Sequence, residues 1–416
     1  MTAPVFSVVI PVFNNWELTR DCLRSLREHT SGVDFEVVVA DNASSDATAQ
    51  ELLPLGESLF PGRFQRLRFE ENRNFGPACN AGARAATAPL VFFLNNDTLL
   101  TPGWFAPLFE ALRADDSIGA VGPLLLYPDN TVQHLGVTFT PTGVAHLYRG
   151  FPADHPVVGK KRRLQFLTAA ALFMPRSLFL DVDGFYEEYR NGFEDVELSI
   201  RIREKGKNLG CVPGSRVYHL ESKTPGRVNS EAEKHNSRLL TERYGNAFSI
   251  DIHHHGLRDG FQIRVNDWDD ISLPVAPEDS QALFASVAPN DLNGLVSLLN
   301  QNPSWFDGAE RLAAECERNG LIPEALVCAS RASAIHPTVA GYKRTLALAV
   351  RAKNTEVAES CGELLRKLLA RHADKEGRCW FAKSIIHRAR RFNDAYLENL
   401  YRERLAALEA GLPAAG

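Results

Sequence analysis

Leu90-Val91-Phe92-Phe93-Leu94-Asn95-Asn96-Asp97-Thr98 is the stretch that decides the fold. Five apolar residues in a row, with no polar residue alternating among them, suit a strand buried on both faces, as a parallel strand sheathed by helices is. Asn, Asn and Asp follow at once, so the strand ends in a polar turn that carries a carboxylate. In open α/β sheets, ligands bind outside this carboxyl edge.

The same succession occurs three times upstream. Ser7–Val12 is followed by Asn14, Phe35–Ala40 by the run Asp41 to Asp46, and Arg66–Phe69 by Asn72 to Asn74. Between these strands lie helix-like segments. Trp16–Arg27 has Trp16, Cys22, Leu23 and Leu26 near helical spacing, and Pro77–Ala86 is a helix of small residues. Ala47–Leu53 also reads as a helix, ending in a loop with Pro54, Gly56, Pro61 and Gly62. Strands alternating with helices predict an open, mostly parallel α/β sheet. Turn chemistry alone accounts for Asn and Asp in any one loop. Four polar clusters in succession at one edge imply a site.

Downstream, Phe166 to Tyr218 reads as a strand, a Gly-rich loop, a helix and a closing strand. The helix begins near Phe193 with an acidic first turn and places Glu197 and Arg201 at i,i+4. Beyond Ile250 the character changes. The expected organisation is an α/β domain over 1–250, a linker or docking strap over 251–279, and an all-α domain over 280–416. The triplet His253-His254-His255 falls in the strap and reads as incidental, because adjacent side chains point in different directions. Ala309–His336 reads as a helical hairpin turning at Asn319-Gly320 and resembles a tetratricopeptide unit, although a second copy is hard to align. Asn393 to Ala410 reads as a final amphipathic helix.

Composition narrows the function. The 416 residues carry 46 Lys and Arg against 51 Asp and Glu, for a net charge of −5. No basic tract exceeds the short Lys160–Arg163 cluster, so no nucleic-acid partner is expected. Seven cysteines without a Cys-x-x-Cys pair indicate neither a disulfide framework nor a zinc ribbon, which favours the reducing cytoplasm. The start MTAPVFSVVIPV has no basic n-region, so a secretory signal is not expected. The longest apolar stretch, Leu167–Met174, is far short of the ~20 residues that span a bilayer. A soluble cytoplasmic protein is expected, with peripheral membrane association left open.

Six motifs, taken in order, resemble the family 2 glycosyltransferases of the GT-A fold, in particular their bacterial rhamnosyltransferase-like branch. They are Val8-Val9-Ile10-Pro11-Val12-Phe13-Asn14; Val39-Ala40-Asp41-Asn42-Ala43-Ser44-Ser45-Asp46; Glu71-Asn72-Arg73-Asn74-Phe75-Gly76 with Asn80-Ala81-Gly82; Phe93-Leu94-Asn95-Asn96-Asp97-Thr98; Gly184-Phe185 with Phe193-Glu194-Asp195-Val196-Glu197-Leu198; and Val217-Tyr218-His219. Each is weak alone, and the ordered set spans roughly residues 5 to 245.

The resemblance implies an inverting transfer of a sugar from a nucleoside-diphosphate donor, dTDP-rhamnose or a UDP-sugar, to an acceptor hydroxyl. The acceptor would be a glycan, a lipid-linked glycan or a protein, in cell-surface polysaccharide or glycoconjugate synthesis. Asn95-Asn96-Asp97 takes the place of the family's Asp-x-Asp motif, with Asn95 where the first acidic residue is expected. Asp97 and His219 would hold a divalent cation, Mn²⁺ or Mg²⁺, that neutralises the departing diphosphate. A single protein carboxylate implies weak metal binding until the nucleotide supplies oxygens. Asp195 would be the general base and Glu194 its neighbour at the donor or acceptor. Pro11, Phe13, Asn14, Asp41, Asn42, Arg73 and Asn74, together with Asn95 and Asn96, would line the nucleotide-sugar site. Asn80 would cap or pack, and Gly76 and Gly82 would allow close backbone approach. Gln133, His134 and His146 lie where acceptor loops occur and are equally compatible with a structural role. The helical domain offers a surface for the acceptor or for self-association. The alternative reading is a catalytically degenerate domain that acts as a binding scaffold.

Overall fold

The computed structural model describes residues 3–220, 231–245, 247–288 and 291–411. The chain divides into two compact units, residues 1–138 with 146–248, and residues 139–145 with 249–416.

The first unit opens with β1 (Phe6–Val12), α1 (Trp16–His29), β2 (Phe35–Asp41), α2 (Thr48–Leu59), β3 (Phe64–Arg68), α3 (Phe75–Ala85) and β4 (Leu90–Leu94). It continues with β5 (Thr98–Leu100), α4 (Phe105–Ala114), β6 (Ile118–Leu126) and β7 (Val132–His134), after which the paired strands β8 (Val137–Thr140) and β9 (Gly143–His146) lie mostly in the second unit. It closes with β10 (Ala171–Pro175), α5 (Arg176–Asp181), α6 (Glu194–Glu204), β11 (Asn208–His219) and α7 (Glu231–Tyr244). The large sheet runs β3-β2-β1-β4-β10-β6-β11-β5, with β7 added beside β6. β3, β2, β1 and β4 are mutually parallel, as are β6 and β11, whereas β10, β5 and β7 run antiparallel to their neighbours. This is the expected α/β class, with a mixed sheet flanked by helices.

Both faces of the sheet are covered, which explains the unbroken apolar strands. Phe6, Val8 and Ile10 of β1 and Phe92 of β4 face one core with Phe173 and Trp104. Their strand neighbours Val9 and Phe93 face the other, with Phe179 and Phe185. Alternate residues thus feed opposite cores. Each fully buried Phe contributes about 1.5–3 kcal/mol. Gly82 of α3 lies against Val9, where a Cβ would collide with the valine methyls. That glycine is what lets α3 approach the sheet.

One helix departs from the expected pattern. α2 does not stop at Leu53 but runs through Pro54 to Leu59. A proline inside a helix costs about 3 kcal/mol. Leu55 and Leu59 continue the apolar face of Leu52 into the core beyond it, and their burial offsets that cost.

The second unit contains α8 (Ile252–Asp259), the hairpin of β12 (Arg264–Val265) and β13 (Ile271–Ser272), and then α9 (Pro277–Ala285) and α10 (Leu292–Gln301). α11 (Phe306–Arg318), α12 (Ile322–Ile335), α13 (Val339–Arg351), α14 (Thr355–Ala373), α15 (Lys375–Arg391) and α16 (Ala395–Ala410) complete it. Residues 251–279, read from sequence as a linker or docking strap, hold a helix and a hairpin. The hairpin turn explains why they are ordered. Asp269, buried at its tip, accepts hydrogen bonds from Arg371, Arg378 and Arg404, and Tyr401 Oη donates to the Asp269 carbonyl at 2.6 Å. Three helices are thereby fastened to one carboxylate. α11 with α12, α13 with α14, and α15 with α16 pack as successive pairs beginning at Phe306, Val339 and Lys375. Side chains cap α10, α13, α14, α15 and α16, namely Asp291, Thr338, Asn354, Asp374 and Asp394. Such caps are worth about 1 kcal/mol each.

Candidate active site

Sheet register brings the predicted cation ligands together. β11 pairs antiparallel with β5 so that His219 lies opposite Thr98, the residue after Asp97. The Leu220 N–H donates to the Asp97 carbonyl at 2.9 Å, extending that pairing by one bond. His219 Nε2 then stands 3.1 Å from Asp97 Oδ1 and 3.4 Å from Asn95 Nδ2.

Gln133 of β7 fixes the imidazole. Its Nε2 donates to the His219 carbonyl at 3.0 Å, so its Oε1 is the atom that faces His219 Nδ1 at 2.6 Å. The reversed amide would set nitrogen against Nδ1–H and oxygen against the carbonyl. His219 therefore carries hydrogen on Nδ1, and its neutral form turns the Nε2 lone pair toward Asp97. A lone pair facing a carboxylate oxygen at this distance is repulsive unless a proton or a cation lies between them. The residues present therefore fit a divalent cation bound by imidazole nitrogen and carboxylate oxygen.

Asp195 stands at the first turn of α6. Its Oδ2 accepts the Ala169 N–H at 3.2 Å, Oδ1 accepts the Val196 N–H at 2.8 Å, and the Thr168 side chain also bonds it. Burial pushes its carboxyl above the usual range, against the pull of the Ala169 and Val196 N–H groups. The Ala170 carbonyl accepts the Asn95 N–H at 2.9 Å, so residues 168–170 connect Asp195 to the turn that holds Asp97. Glu194 is buried and accepts the Gly192 N–H at 2.5 Å. Before α6 the backbone passes through Asn191, Gly192 and Phe193, all with positive φ.

At the other end of the edge, Asp41 closes β2 and is fully buried. Ser44 N–H donates to Oδ1 at 2.8 Å, while Arg66 and Arg68 of β3 both bond Oδ2. Burial opposes ionisation of Asp41, but the Ser44 N–H and the Arg66 guanidinium outweigh it and hold the carboxyl below its ordinary value. Asn14, in the left-handed region, accepts the Ser45 and Asp46 N–H groups. Asn42 accepts from the Arg73 N–H and donates to the Asn74 carbonyl, each at 3.2 Å. Arg73 is exposed over the Phe69 ring, Pro11 is buried in β1, and Phe13 is 47% exposed beside them. Asn96 turns away from Asp97 to donate to Thr19 Oγ1 at 2.9 Å. Asn80 is structural: its amide exchanges two hydrogen bonds with the Phe185 backbone, both at 2.8 Å.

Sequence reading assigned no role to Arg66, Arg68 or Thr168 and left Gln133 undecided. Two arginines two apart on a strand next to the one ending in Asp41 were the available signal for the first pair. Thr168 carries none, because it reaches Asp195 only through tertiary packing. His134 is buried with its Nδ1 2.9 Å from Nδ1 of the exposed His146. Burial, then the neighbouring His146 and His219, hold it well below the usual histidine range, so it stays neutral.

The chain is similar to several known proteins. The chain is 31% identical over 227 residues to the O-antigen biosynthesis protein RfbC of Myxococcus xanthus, covering 53% of this chain and 17% of that protein. This chain thus spans a small part of that relative's length. It is 27% identical over 219 residues to an N-acetylglucosaminyl-diphospho-decaprenol L-rhamnosyltransferase of Mycobacterium tuberculosis, covering 46% and 68% of the two chains. The fold is similar to the mannosyltransferase of Pyrobaculum calidifontis in complex with GDP-Man and Mn²⁺, with TM-score 0.44, 18% identity, and coverage of 80% and 88%. Residues 7–167 match the family model for glycosyl transferase family 2, and they constitute a domain of that family.

Proposed function

We propose that the first unit transfers a sugar, with inversion, from a nucleoside-diphosphate donor to an acceptor hydroxyl. Asp195 takes the proton of the attacking hydroxyl, and its burial-raised affinity for that proton suits a general base. Glu194, pinned to the Gly192 N–H, fixes the loop in front of Asp195. Asp97 and His219 would hold a divalent cation, which when bound would supply the positive charge that a departing diphosphate requires. Phe13 and Asn14 flank the nucleoside, and Arg73 reaches the base or the diphosphate. Asp41 acts there as part of an Asp–Arg pair rather than as a lone carboxylate, since Arg66 and Arg68 share its outer oxygen.

The observation that carries this reading is His219 Nε2 standing 3.1 Å from Asp97 Oδ1, with Asp195 joined to the same turn through residues 168–170. The names of two relatives support rhamnose as the sugar and a lipid-linked or other cell-surface glycan as acceptor, and the donor would then be dTDP-rhamnose, with UDP-sugars as the alternative. The helical unit would hold that acceptor, since paired helices offer extended surfaces.

Calorimetric titration with UDP, dTDP and GDP, with and without Mn²⁺, tests the reading. Binding of one nucleotide, strengthened by Mn²⁺, is expected. Metal-independent binding would remove Asp97 and His219 as ligands, and no binding of any nucleotide would favour a scaffold.

A further inference from the structure

The second unit brings together metal-ligating side chains that the transfer reaction does not use. His253 and His254 are adjacent in the first turn of α8, where helical geometry sets neighbouring side chains roughly 100° apart. Both nonetheless converge on one atom. His253 Nε2 lies 2.7 Å and His254 Nε2 3.0 Å from Asp394 Oδ2, and the three candidate ligand atoms fit within 4.8 Å of one another. The other oxygen of Asp394 caps α16 by accepting the Leu397 N–H at 3.0 Å. Capping needs one carboxylate oxygen and no histidine. It does not explain two imidazoles turned onto the remaining oxygen.

We propose that His253, His254 and Asp394 form a binding site for a divalent transition-metal ion, with Zn²⁺ the ion their donor set suits. Ligand atoms about 2.0–2.1 Å from a tetrahedral Zn²⁺ stand about 3.3 Å apart, so the two nitrogen–oxygen separations of 2.7 and 3.0 Å need open by only a few tenths of an ångström to admit the ion. Two imidazoles and one carboxylate leave a coordination position for water. The site opens outward, since the His254 side chain is 55% exposed while His253 is fully buried. His253 Nδ1 is buried without a hydrogen-bond partner. Metal-bound histidines usually donate that hydrogen to an acceptor, so this site should bind less tightly than closed structural zinc sites. An ion here would tie α8 to the start of α16, independently of the sugar-transfer site.

The test is Zn²⁺ stoichiometry on the full chain, by equilibrium dialysis, with Co²⁺ absorption as the geometric readout. The native protein should bind one more equivalent of Zn²⁺ than His254→Gln and should show cobalt d–d bands that the variant lacks. His254 is largely exposed, so the variant should fold. Asp394→Asn, which keeps a capping side chain, should lose the same equivalent while Asp97→Asn retains it. Equal stoichiometry in native, His254→Gln and Asp394→Asn proteins would overturn the site, as would the absence of any Zn²⁺ bound to the native chain.

Discussion

Gln133 gives the sharpest test of the cation site because it touches the imidazole without belonging to the ligand set. Gln133→Met keeps the volume and the burial but removes both hydrogen bonds to His219. One leaves Nδ1–H without its acceptor at 2.6 Å, and the other leaves the His219 carbonyl without its donor at 3.0 Å. An orphaned buried group costs about 1–3 kcal/mol. Without the acceptor, the tautomer bearing hydrogen on Nε2 also competes, and that form cannot ligate. Since about 1.4 kcal/mol is tenfold, Mn²⁺ affinity should fall by about 10- to 100-fold, the usual range for groups behind a metal ligand. Gln133→Glu retains an acceptor for Nδ1–H and should preserve most of the affinity. The assay is Mn²⁺ titration in the presence of the preferred nucleoside diphosphate, with thermal unfolding run alongside to register any loss of fold. If Gln133→Met binds Mn²⁺ as tightly as the native chain while His219→Ala does not, the tautomer argument is wrong.

Asp195→Asn should reduce transfer by about 10²–10⁴-fold while leaving nucleotide affinity intact; normal turnover would remove Asp195 as the base. The same variant should be more stable than the native chain at neutral pH. Burial raises the folded-state value of Asp195, so its ionisation destabilises the fold as pH rises through that window, and a neutral amide avoids the cost. A lower unfolding temperature would contradict this. Asn95→Asp should tighten Mn²⁺ binding in the absence of nucleotide by at least about tenfold, because a carboxylate about 4 Å from a divalent ion gains on the order of 8 kcal/mol at an effective dielectric near 20, of which desolvation of the new charge takes back the larger part; unchanged affinity would place the cation away from this turn. Asp269→Ala should cost the second unit about 3–5 kcal/mol in denaturant unfolding, since three arginines lose their shared carboxylate. Burial raises Asp269, but Arg378 and Arg404 lower it further, so its contribution is complete above about pH 4 and is lost only as pH falls through the lowered value. A variant as stable as the native chain near neutral pH would refute that role.

Much of the first unit was legible because its signals are local. Unbroken apolar runs such as Leu90–Leu94 announce strands covered on both faces, and polar residues after them mark the carboxyl edge. Asp41, Asp97 and Asp195 could therefore be named from motif order. What escaped depends on register. That Arg68 lies beside Asp41 follows from the pairing of β2 with β3, and that Gln133 reaches His219 follows from β7 joining β6 next to β11. No window of sequence contains either fact. Pro54 misled in the opposite direction, because a local breaker was outweighed by leucines whose burial is tertiary. Asp269 and the histidine triplet were opaque for the same reason, since both acquire partners from helices more than a hundred residues away.

Backbone conformation separates a built site from ordinary turns along this edge. Asn14, Asn15, Ala43, Asn74, Asn191 and Phe193 all have positive φ, and they follow β1, β2 and β3 or precede α6. Asn tolerates the left-handed region, so Asn15 costs little there, whereas Asn74, at φ 67 and ψ −176, lies in a region almost confined to glycine. Ala43 and Phe193 have no side-chain compensation, and such residues cost on the order of 1–3 kcal/mol each. A turn selected only for stability would place glycine at both. Ala43 lets the chain fold back so that the Ser44 N–H reaches Asp41, and Phe193 starts α6 at the angle that sets Asp195 against the Ala169 N–H. The strain thus falls at Asn74 and at the two positions that aim Asp41 and Asp195. The rigid, doubly covered sheet behind them has the stability to hold it.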